Sequence, residues 1–491
     1  MILYLLIAII VLTYIFFSKK YSYWRDLGFP YAKPSIPVGN LCGVGIKEHL
    51  SDFVIREYNN FKDKPPAFGI YLLTKPALIL TDLELIHDVT TRCFESFHGK
   101  EFYINEKADP LMKSLFTTSG QEWKDLRQKL SPIFTVGRTK MIFPIIAETA
   151  DRMIEYLKQP DTNRETIEMK EIFSSFTTEV VANAAFGLDV KCLGHPDNDF
   201  RKATRYIFQP PMWYNLKILL IFSMPEVAKF FNMAQNPKFV IDFFTKTVRD
   251  NLEFREKNNI QRDDFFQLLI NIKKDEGMTF NEIAANSFIF LIAGLETSAI
   301  AITFCTYELA FNQDIQDRLR TEIETVLKKH DGDVTYDAIM EMKYLEMVIN
   351  ETLRKYPIFE VQVRKCTKEF TMRMPDSELA IPIGTPVLIP VAGIHNDERY
   401  FKNPEKFDPE RFSEENIKNL VPHTFIPFSE GPRNCIGISF GLMQIKLGLV
   451  KFLKNFRIMP CSKTIIPMKF TPNYSFQSPL GGMWIKIESI E

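Results

Sequence analysis

In Phe428-Ser-Glu-Gly-Pro-Arg-Asn-Cys-Ile-Gly437, one cysteine stands in a glycine-punctuated loop, directly before a long apolar segment that is typical of a helix. Cys435 lies within reach of the positive charge of Arg433, of the backbone amides of a turn and of the N-terminus of the following helix. Each of these stabilises a thiolate, and a bound metal ion would complete the set. The loop therefore predicts an ionised cysteine that serves as a ligand.

The other residues of this loop suit a flat cofactor. Gly431 and Gly437 permit a backbone that lies close to such a group, and Phe428 can exclude water from one side of the sulfur. These are the needs of a haem iron held by one axial cysteine. The stretch resembles the haem-ligand signature of the cytochrome P-450 family at Phe428, Gly431, Arg433, Cys435 and Gly437. A lone cysteine in an apolar stretch is more often a core residue, but five matches at fixed spacing favour the ligand.

The resemblance implies a fold that is mainly α with a minor β region and is preceded by a single N-terminal transmembrane helix. Helical periodicity dominates from about residue 122 onward, and the apolar run Ile70–Leu80, broken by Lys-Pro, predicts a β-hairpin. We expect three segments: a membrane anchor at 1–18, a basic and proline-rich hinge at 19–40, and a haem-binding catalytic domain at 41–491.

The composition excludes several classes of protein. The formal net charge of −1 over 491 residues gives no global electrostatic argument for nucleic acid, so no nucleic-acid partner is predicted. The seven cysteines are odd in number and show no paired CxxC spacing. They therefore indicate neither a cysteine-based zinc site nor a disulfide framework, and a reducing compartment is expected for the folded part.

The N-terminus is apolar almost without interruption from Met1 to Phe17 and is followed by Lys19 and Lys20. At this length it is at the short end of what can span a bilayer, and the competing interpretation is the apolar region of a cleaved signal peptide. A retained anchor is favoured, because no basic region precedes the run, no small-x-small cleavage site follows it, and the two lysines mark the following chain as cytosolic. Tyr21, Tyr23 and Trp24 are candidates for the lipid headgroup level.

The longest predicted helix begins with a capping box at Thr279 and Glu282 and continues to about Phe311. A second membrane span is the alternative, but the polar side chains in its middle would be costly in lipid. Within it, Ala293-Gly-Leu-Glu-Thr-Ser298 resembles the family's oxygen-activating motif, which implies that Ala293 lies on the cofactor side and that Glu296 and Thr297 handle protons. In isolation, these two residues could simply bond the preceding helical turn.

Further positions match the family residue by residue. The resemblance implies that haem propionates are bound by Trp123 and Arg127, which share a helix face, and by Arg364 and Arg433, while a surface helix with a packed tryptophan is the alternative for the first pair. His395 is a weaker candidate for such a contact. A buried structural cluster is predicted from the charged residues of two further signatures: Glu351, Arg354 and Arg411.

Substrate contacts are expected from the segments 102–116, 288–293, 359–363 and 476–477. The apolar segment 207–222 is either core or a mobile flap over the substrate entrance that touches the membrane. Two positions depart from the family pattern. Ser439 replaces a basic residue of many relatives, and Glu360 either favours a cationic or hydrogen-bonding substrate or turns outward to solvent.

The resemblance implies a haem-thiolate monooxygenase that uses NADPH and dioxygen, has haem b as its cofactor and is most similar to microsomal insect enzymes of xenobiotic metabolism. Electrons would come from NADPH-cytochrome reductase, with cytochrome b5 as a further partner, and the remaining partners would be a lipophilic substrate and membrane lipid at the endoplasmic reticulum. Two alternatives remain open: a haem-thiolate isomerase or dehydratase, and a non-enzymatic haem sensor. An acidic reductase could dock on a basic patch formed by Lys124, Lys129, Lys446, Lys451 and Lys454.

Overall fold

The computed structural model describes residues 1–100, 102–262, 264–373 and 378–490. In these ranges the α-helices are α1 (Ile2–Lys20), α2 (Tyr23–Asp26), α3 (Leu50–Phe61), α4 (Leu83–His87), α5 (Phe94–Phe97), α6 (Gly120–Leu130), α7 (Val136–Lys158), α8 (Met169–Phe186), α9 (Asp199–Phe208), α10 (Met212–Ser223), α11 (Pro225–Phe230), α12 (Lys238–Lys257), α13 (Phe265–Glu276), α14 (Phe280–Phe311), α15 (Gln313–Lys329), α16 (Tyr336–Glu341), α17 (Lys343–Lys355), α18 (Val391–His395) and α19 (Ile438–Asn455). The strands are β1 (Ala67–Leu72), β2 (Lys75–Leu80), β3 (Ile167–Glu168), β4 (Gln362–Lys365), β5 (Phe370–Arg373), β6 (Glu378–Ile381), β7 (Pro386–Ile389), β8 (Phe456–Pro460) and β9 (Trp484–Ser489). The predicted fold, mainly α with a minor β region, is confirmed.

The 32-residue helix α14 runs through the middle of the core. Its N-terminus is capped as predicted, because the Glu282 backbone N–H donates to the Thr279 hydroxyl over 3.3 Å and the Thr279 N–H donates to the Glu282 carboxylate over 2.7 Å. The helix packs against α8 and α19 and is buried over most of its apolar length. Its apolar character is therefore explained by the protein interior rather than by lipid.

Most of the β-structure lies in one four-stranded sheet of order β1-β2-β7-β4. β1 and β2 form the predicted hairpin, in antiparallel register from Ala67 opposite Leu80 to Leu72 opposite Lys75. β7 runs parallel to β2, and β4 runs antiparallel to β7. The sheet thereby fixes β4, which carries Arg364, beside the helical core. A second sheet has three strands in the order β3-β9-β8, and a third sheet consists of β5 paired with β6.

The N-terminal helix α1 is exposed along its whole apolar length, whereas the residues after it are tied to the sheet. Trp24 is buried, its indole N–H donates to the Ile70 carbonyl over 3.0 Å, and its ring lies where a Cβ on Gly69 would stand. The expectation that Tyr21 and Trp24 reach the lipid headgroups is thus wrong, because both side chains are buried in protein contacts. This contact fixes the end of α1 relative to the sheet.

The apolar segment 207–222 is mostly helical. α9 ends at Phe208, and α10 covers most of the remainder. Met212, Trp213 and Leu216 on α10 are exposed, whereas Ile221 is buried. Because these three apolar side chains are exposed, the core interpretation fails for the outer face of α10.

The predicted charged cluster joins α17 to the segment 395–411. Arg354 donates to both carboxylate oxygens of Glu351, over 2.9 Å from Nε and 2.8 Å from Nη2, and Arg411 Nε lies 3.3 Å from the same carboxylate. Arg354 also donates to the carbonyls of His395 and Pro404, so each of its three guanidinium nitrogens is hydrogen-bonded in a fully buried site. The structural role predicted for the cluster follows from these bonds.

His395 is part of the same core and not of a propionate site. Its ring is fully buried and its Nε2 accepts a hydrogen bond from the backbone N–H of Ile426 over 3.1 Å. Burial, together with the nearby charge of Arg354, lowers the pKa of His395 to about 3, so the ring is neutral. The propionate contact considered for it is therefore replaced by a structural hydrogen bond.

We expect Glu351→Gln to destabilise the holoprotein by about 3 to 5 kcal/mol, because it leaves the buried Arg354 charge without its counter-charge. The midpoint of thermal unfolding and the yield of haem-loaded protein measure the effect. The matched control is Asp337→Asn, which breaks an exposed ion pair with Lys140 and should leave the midpoint unchanged. Equal midpoints for both variants would show that the buried cluster does not stabilise the fold.

Candidate active site

The cysteine loop is closed by its own backbone. The Cys435 N–H donates to the Phe428 carbonyl over 2.9 Å, and α19 begins three residues after the cysteine. The Cys435 side chain is exposed, yet burial raises the pKa of its thiol, with the Gly437 N–H, Arg127 and Lys100 acting in the opposite direction. A sulfur on the wall of an internal cleft explains both its exposed surface and the effect of burial on its pKa. The predicted ligand position is thus open to a group inside the protein.

The two signature glycines of the loop serve different purposes. Gly431 has a φ of +69°, and a Cβ at this position would lie 2.0 Å from the backbone oxygen of Thr90. Thr90 belongs to a five-residue π-helix, Asp88–Arg92, that follows α4. A Cβ on Gly437 would meet no atom of the described residues closer than the Phe134 ring, at 3.9 Å. Only Gly431 is therefore required by close backbone contact.

The predicted arginines converge on the cleft, and their bonds go to neutral oxygens. Arg127 donates to the Asn434 carbonyl and side-chain amide over 3.0 and 2.9 Å. Arg364 donates to the Ser429 hydroxyl over 2.9 Å, and Arg433 donates to a backbone carbonyl while its guanidinium lies 4.3 Å from the Trp123 ring. The site therefore brings together four predicted residues, three of them cationic.

These charges are uncompensated within the described residues that surround them. Burial lowers the pKa of Arg364 to about 10, and burial together with the charges of Arg364 and Arg127 lowers that of Arg433 to about 9. The Nε atoms of Arg364 and Arg433 are buried and have no hydrogen-bond partner among the described residues. Buried cations in this state require an anionic group close by.

Lys100 is a fourth cation of the cleft, and it was missed by the sequence analysis. Its Nζ lies 3.5 Å from the centroid of the Phe116 ring, and burial followed by the charges of Arg364 and Arg433 holds its pKa well below the usual range. The nearby Cys435 acts in the opposite direction. No motif contains Lys100, so no sequence pattern pointed to it. A flat group that carries two carboxylates and binds a thiolate, as haem does, fits this set of residues.

The α14 residues nearest the cleft are Ala293 and Thr297, both on one face of the helix. Ala293 is exposed and Thr297 partly so, and the Thr297 hydroxyl donates to the Ala293 carbonyl over 2.6 Å. This bond matches the alternative stated for Thr297, in which its hydroxyl simply bonds the preceding helical turn.

A Cβ on Gly294 would lie 3.1 Å from Val181 of α8, so close packing of α14 against α8 explains this glycine.

Glu296 is directed away from the Thr297 hydroxyl and is almost fully buried. Its carboxylate lies 3.0 Å from Lys170 Nζ and accepts a hydrogen bond from the Tyr474 hydroxyl. Burial opposes its ionisation, but the charges of Lys170 and Arg201 hold the pKa of Glu296 below its usual range. The structure thus does not bring the side chains of Glu296 and Thr297 together, and their joint role in proton handling stays a prediction.

A row of phenylalanines joins the predicted substrate segments. Successive ring centroids are 5.8 Å apart for Phe222 and Phe102, 5.3 Å for Phe102 and Phe116, 6.4 Å for Phe116 and Phe359, 5.0 Å for Phe359 and Phe476, and 5.5 Å for Phe476 and Phe208. Lys100 lies on the Phe116 ring and so links this row to the cysteine cleft. Phe288 is instead packed against Phe244 in the core, and its segment opens to the cleft at Ala293.

Glu360 does not face solvent, which corrects that interpretation. Its side chain is buried, its Oε1 lies 3.7 Å from His49 Nδ1, and burial raises its pKa to about 8 against the weaker effect of the Glu360 and Gln477 backbone N–H groups. At neutral pH the carboxyl group is therefore mostly protonated. This favours hydrogen bonding over the selection of a cation.

The predicted basic patch is largely neutralised. Lys124, Lys129 and Lys451 lie 2.7, 2.9 and 2.6 Å from Glu95, Glu276 and Asp151 respectively. The prediction is wrong for Lys446, because its side chain is buried and forms an ion pair with Glu346 over 2.9 Å. Lys446 therefore cannot belong to a docking surface.

A cysteine loop at an internal cleft, flanked by uncompensated cations and by a long core helix, defines a haem-thiolate protein. Comparison with known proteins agrees with this class. The sequence profile of the family described as Cytochrome P450 matches residues 30–485, and the chain belongs to the cytochrome P450 family. Similar proteins include cytochrome P450 6a2 of Drosophila melanogaster, 37% identical over 99% of both chains. Cytochrome P450 6A1 of Musca domestica is 36% identical over 99% of this chain and 98% of its own.

The family membership establishes the reaction class. The chain is a haem-thiolate monooxygenase whose haem b receives electrons from NADPH through a reductase, and whose substrates are in general lipophilic. The isomerase, dehydratase and sensor alternatives are not favoured. The similarity extends over the N-terminal region, where α1 is long and apolar enough to cross a membrane, so a membrane anchor is indicated.

We expect Gly431→Ala to reduce the yield of haem-loaded protein severely. The left-handed conformation alone costs about 1 to 2 kcal/mol for a residue with a Cβ, and the added carbon would collide with the Thr90 oxygen. The absorbance of bound haem per chain and the unfolding midpoint measure the loss. Gly277→Ala is the matched control: Gly277 has a φ of +74° and so carries the same conformational cost, but an added Cβ would meet no described atom within 4 Å, so the haem yield should fall far less. A normal Gly431→Ala holoprotein would contradict the contact.

We expect Glu360→Gln to flatten the dependence of stability on pH. The folded chain keeps the Glu360 proton up to about pH 8, whereas the unfolded chain loses it near the ordinary value of 4.5. Stability from this group is full below pH 4.5 and is lost as the pH rises to 8. Unfolding midpoints across this window should therefore fall less for the variant than for the parent. The surface substitution Glu415→Gln should reproduce the parent slope, and an unchanged slope in Glu360→Gln would refute the assignment.

Proposed function

We propose that this monooxygenase inserts one oxygen atom into lipophilic foreign compounds, or into endogenous lipids or hormones of similar polarity, at the endoplasmic reticulum membrane. The observation that carries the proposal is the open Cys435 side chain in a cleft lined by four cations and joined to a row of phenylalanines. The resemblance to insect enzymes of xenobiotic metabolism supports the substrate class. An aromatic wall suits an apolar ligand of no fixed shape.

In this proposal the Cys435 thiolate would bind the haem iron. Arg127, Arg364 and Arg433 bind the propionates, with the Arg433 guanidinium held over the Trp123 ring. Lys100 adds a fourth positive charge on the same side as Phe116. Bound haem supplies the activation of dioxygen, for which the cysteine donates electron density. The apolar residues of the cleft exclude water from this chemistry.

Thr297 and Glu296 are proposed to manage protons. The Thr297 hydroxyl donates to the Ala293 carbonyl and so keeps its oxygen lone pairs free to hold a water molecule at the open face of α14. Glu296 is ionised, and its carboxylate is bonded to Lys170 and Tyr474 rather than to the Thr297 hydroxyl. For Glu296 to act on the same proton, its side chain must leave Lys170 and Tyr474.

The partners and location complete the proposal. α1 would cross the endoplasmic reticulum membrane once, with Lys19 and Lys20 on the cytosolic side together with the catalytic domain. Electrons would come from NADPH-cytochrome reductase, and cytochrome b5 would serve as a second donor. Exposed apolar side chains on α10, among them Trp213 and Leu216, would admit lipophilic substrates from the membrane.

The full-length protein, reconstituted in lipid with an insect NADPH-cytochrome reductase, tests the proposal. We expect a red-shifted thiolate Soret band in the reduced, carbon monoxide-bound spectrum and NADPH consumption that rises when a lipophilic probe substrate is oxidised. Cys435→Ser should abolish both, whereas Cys42→Ser, which changes an exposed cysteine far from the loop in sequence, should abolish neither. Thr297→Ala should keep the spectrum and lower the product formed per NADPH.

Two results would count against it. A folded, haem-loaded protein without the thiolate band would remove Cys435 as the ligand. Substrate turnover that proceeds without NADPH would instead favour an isomerase or dehydratase on the same haem site.

A further inference from the structure

Three potential metal ligands meet on the side of the cysteine loop that carries Thr90. His87 is the last residue of α4, Glu430 directly precedes Gly431, and His423 lies in the preceding loop with a φ of +65°. His423 Nδ1 lies 3.0 Å from both Glu430 carboxylate oxygens, and His87 Nδ1 lies 3.7 Å from one of them. One ligand atom from each residue can be chosen so that all lie within 4.8 Å of one another.

The cluster has an unused ligand atom and access to solvent. His87 Nδ1 is buried and forms no hydrogen bond with any residue that the structure describes. The three side chains as a whole remain 21 to 25% exposed, so an ion could enter and keep a water ligand. The nearby acids Glu84 and Asp88 are paired with Arg92, which leaves Glu430 as the carboxylate that faces the two rings.

We propose that His87, His423 and Glu430 bind a divalent transition-metal ion of the Zn²⁺ type. Two imidazole nitrogens and one carboxylate oxygen suit zinc, whereas Mg²⁺ and Ca²⁺ prefer sets of oxygen ligands. Bonds of about 2.0 to 2.1 Å in a tetrahedral site place ligand atoms about 3.4 Å apart. The observed separations of 3.0 and 3.7 Å from the carboxylate lie on either side of this value.

Binding requires one local movement. The two imidazole rings are stacked at a centroid distance of 4.0 Å with an angle of 26° between their planes. Because the nitrogen lone pair lies in the ring plane, nearly parallel rings cannot both direct it at one ion. The rings must rotate apart about their side-chain torsions, and their partial exposure leaves room for this. Without an ion, the same residues form a hydrogen-bonded His423–Glu430 pair with His87 stacked on it.

The position of the cluster gives the ion a structural consequence. His87 immediately precedes the π-helix that contains Thr90, and π-helical turns are frequent at functional sites. Thr90 in turn touches the loop at Gly431, next to Glu430. A bound ion would therefore cross-link α4 to the cysteine loop and stabilise the folded protein against unfolding.

Equilibrium dialysis of the full-length holoprotein, prepared without a polyhistidine tag, against buffered micromolar zinc tests this inference. We expect one zinc per chain that excess Mg²⁺ or Ca²⁺ does not displace, and a zinc-edge X-ray absorption spectrum with two imidazole nitrogens and oxygen in the coordination shell. His87→Ala, His423→Ala and Glu430→Gln should each weaken binding at least about tenfold, since the loss of even an outer-shell partner commonly costs 10 to 100-fold. The carbon monoxide-bound spectrum of each variant confirms that it is folded and carries haem.

His330→Ala is the matched control, because His330 pairs with Glu341 over 3.0 Å as His423 does with Glu430, but lies in a different part of the chain. It should leave zinc binding unchanged. Binding that survives all three cluster substitutions, a coordination shell that contains sulfur, or the failure of the parent protein to bind zinc would each overturn the proposal.

Discussion

Mutual repulsion of buried positive charge is the constraint on which the centre of this protein depends. Lys100, Arg127, Arg364 and Arg433 surround one thiol, and burial lowers the pKa of each of these four cations. Such an arrangement is costly by itself. It becomes favourable only with anionic charge inside the cleft, which the thiolate of Cys435 and two haem propionates would supply in the proposed site. Cofactor binding and the stability of this part of the fold are therefore linked.

Helix α14 separates this centre from a second charged region. On one face, Ala293 and Thr297 are open to the cleft, while on another Glu296 is held by Lys170 and Tyr474. The ion pair fixes the helix against α8 and the C-terminal region, and it keeps a carboxylate ionised deep in the protein. Any contribution of Glu296 to proton movement therefore requires the loss of bonds that also hold the fold together.

The sequence was sufficient where local chemistry determines the structure. The capping box at Thr279, the hairpin of β1 and β2, and the Glu351–Arg354 pair all depend on residues close together in the chain, and each is confirmed. Gly431 was singled out from a motif, although the reason for it, the Thr90 oxygen, lies more than 300 residues earlier. The cysteine loop could be identified because several of its requirements lie within ten residues.

What the sequence could not provide depends on contacts between distant segments. Lys100 belongs to no motif and acquires its role only because β4 and the cysteine loop bring two arginines next to it. A solvated Glu360 was one of two interpretations, because an isolated carboxylate is usually exposed, but His49, at the N-cap of α3, and Gln477 of the C-terminal region lie beside it in the interior. Trp24 was misplaced for the same reason, since its partner is the sheet and not the membrane.

The contact between Thr90 and Gly431 joins the cysteine loop to the segment that carries His87, one of the three residues of the proposed metal site. It fixes two backbones against each other without any side chain between them, so the ends of α4 and of the loop have little freedom to separate. His87 and Glu430 lie close to this contact in sequence. Much of the conformational entropy that is lost when the two residues come together is therefore already lost when the cysteine loop folds. By linkage, an ion that binds more tightly to this arrangement must favour the closed contact to the same degree. In the proposed metal site, the geometry of the cysteine loop and the affinity of the cluster for metal would therefore be coupled through a single backbone contact.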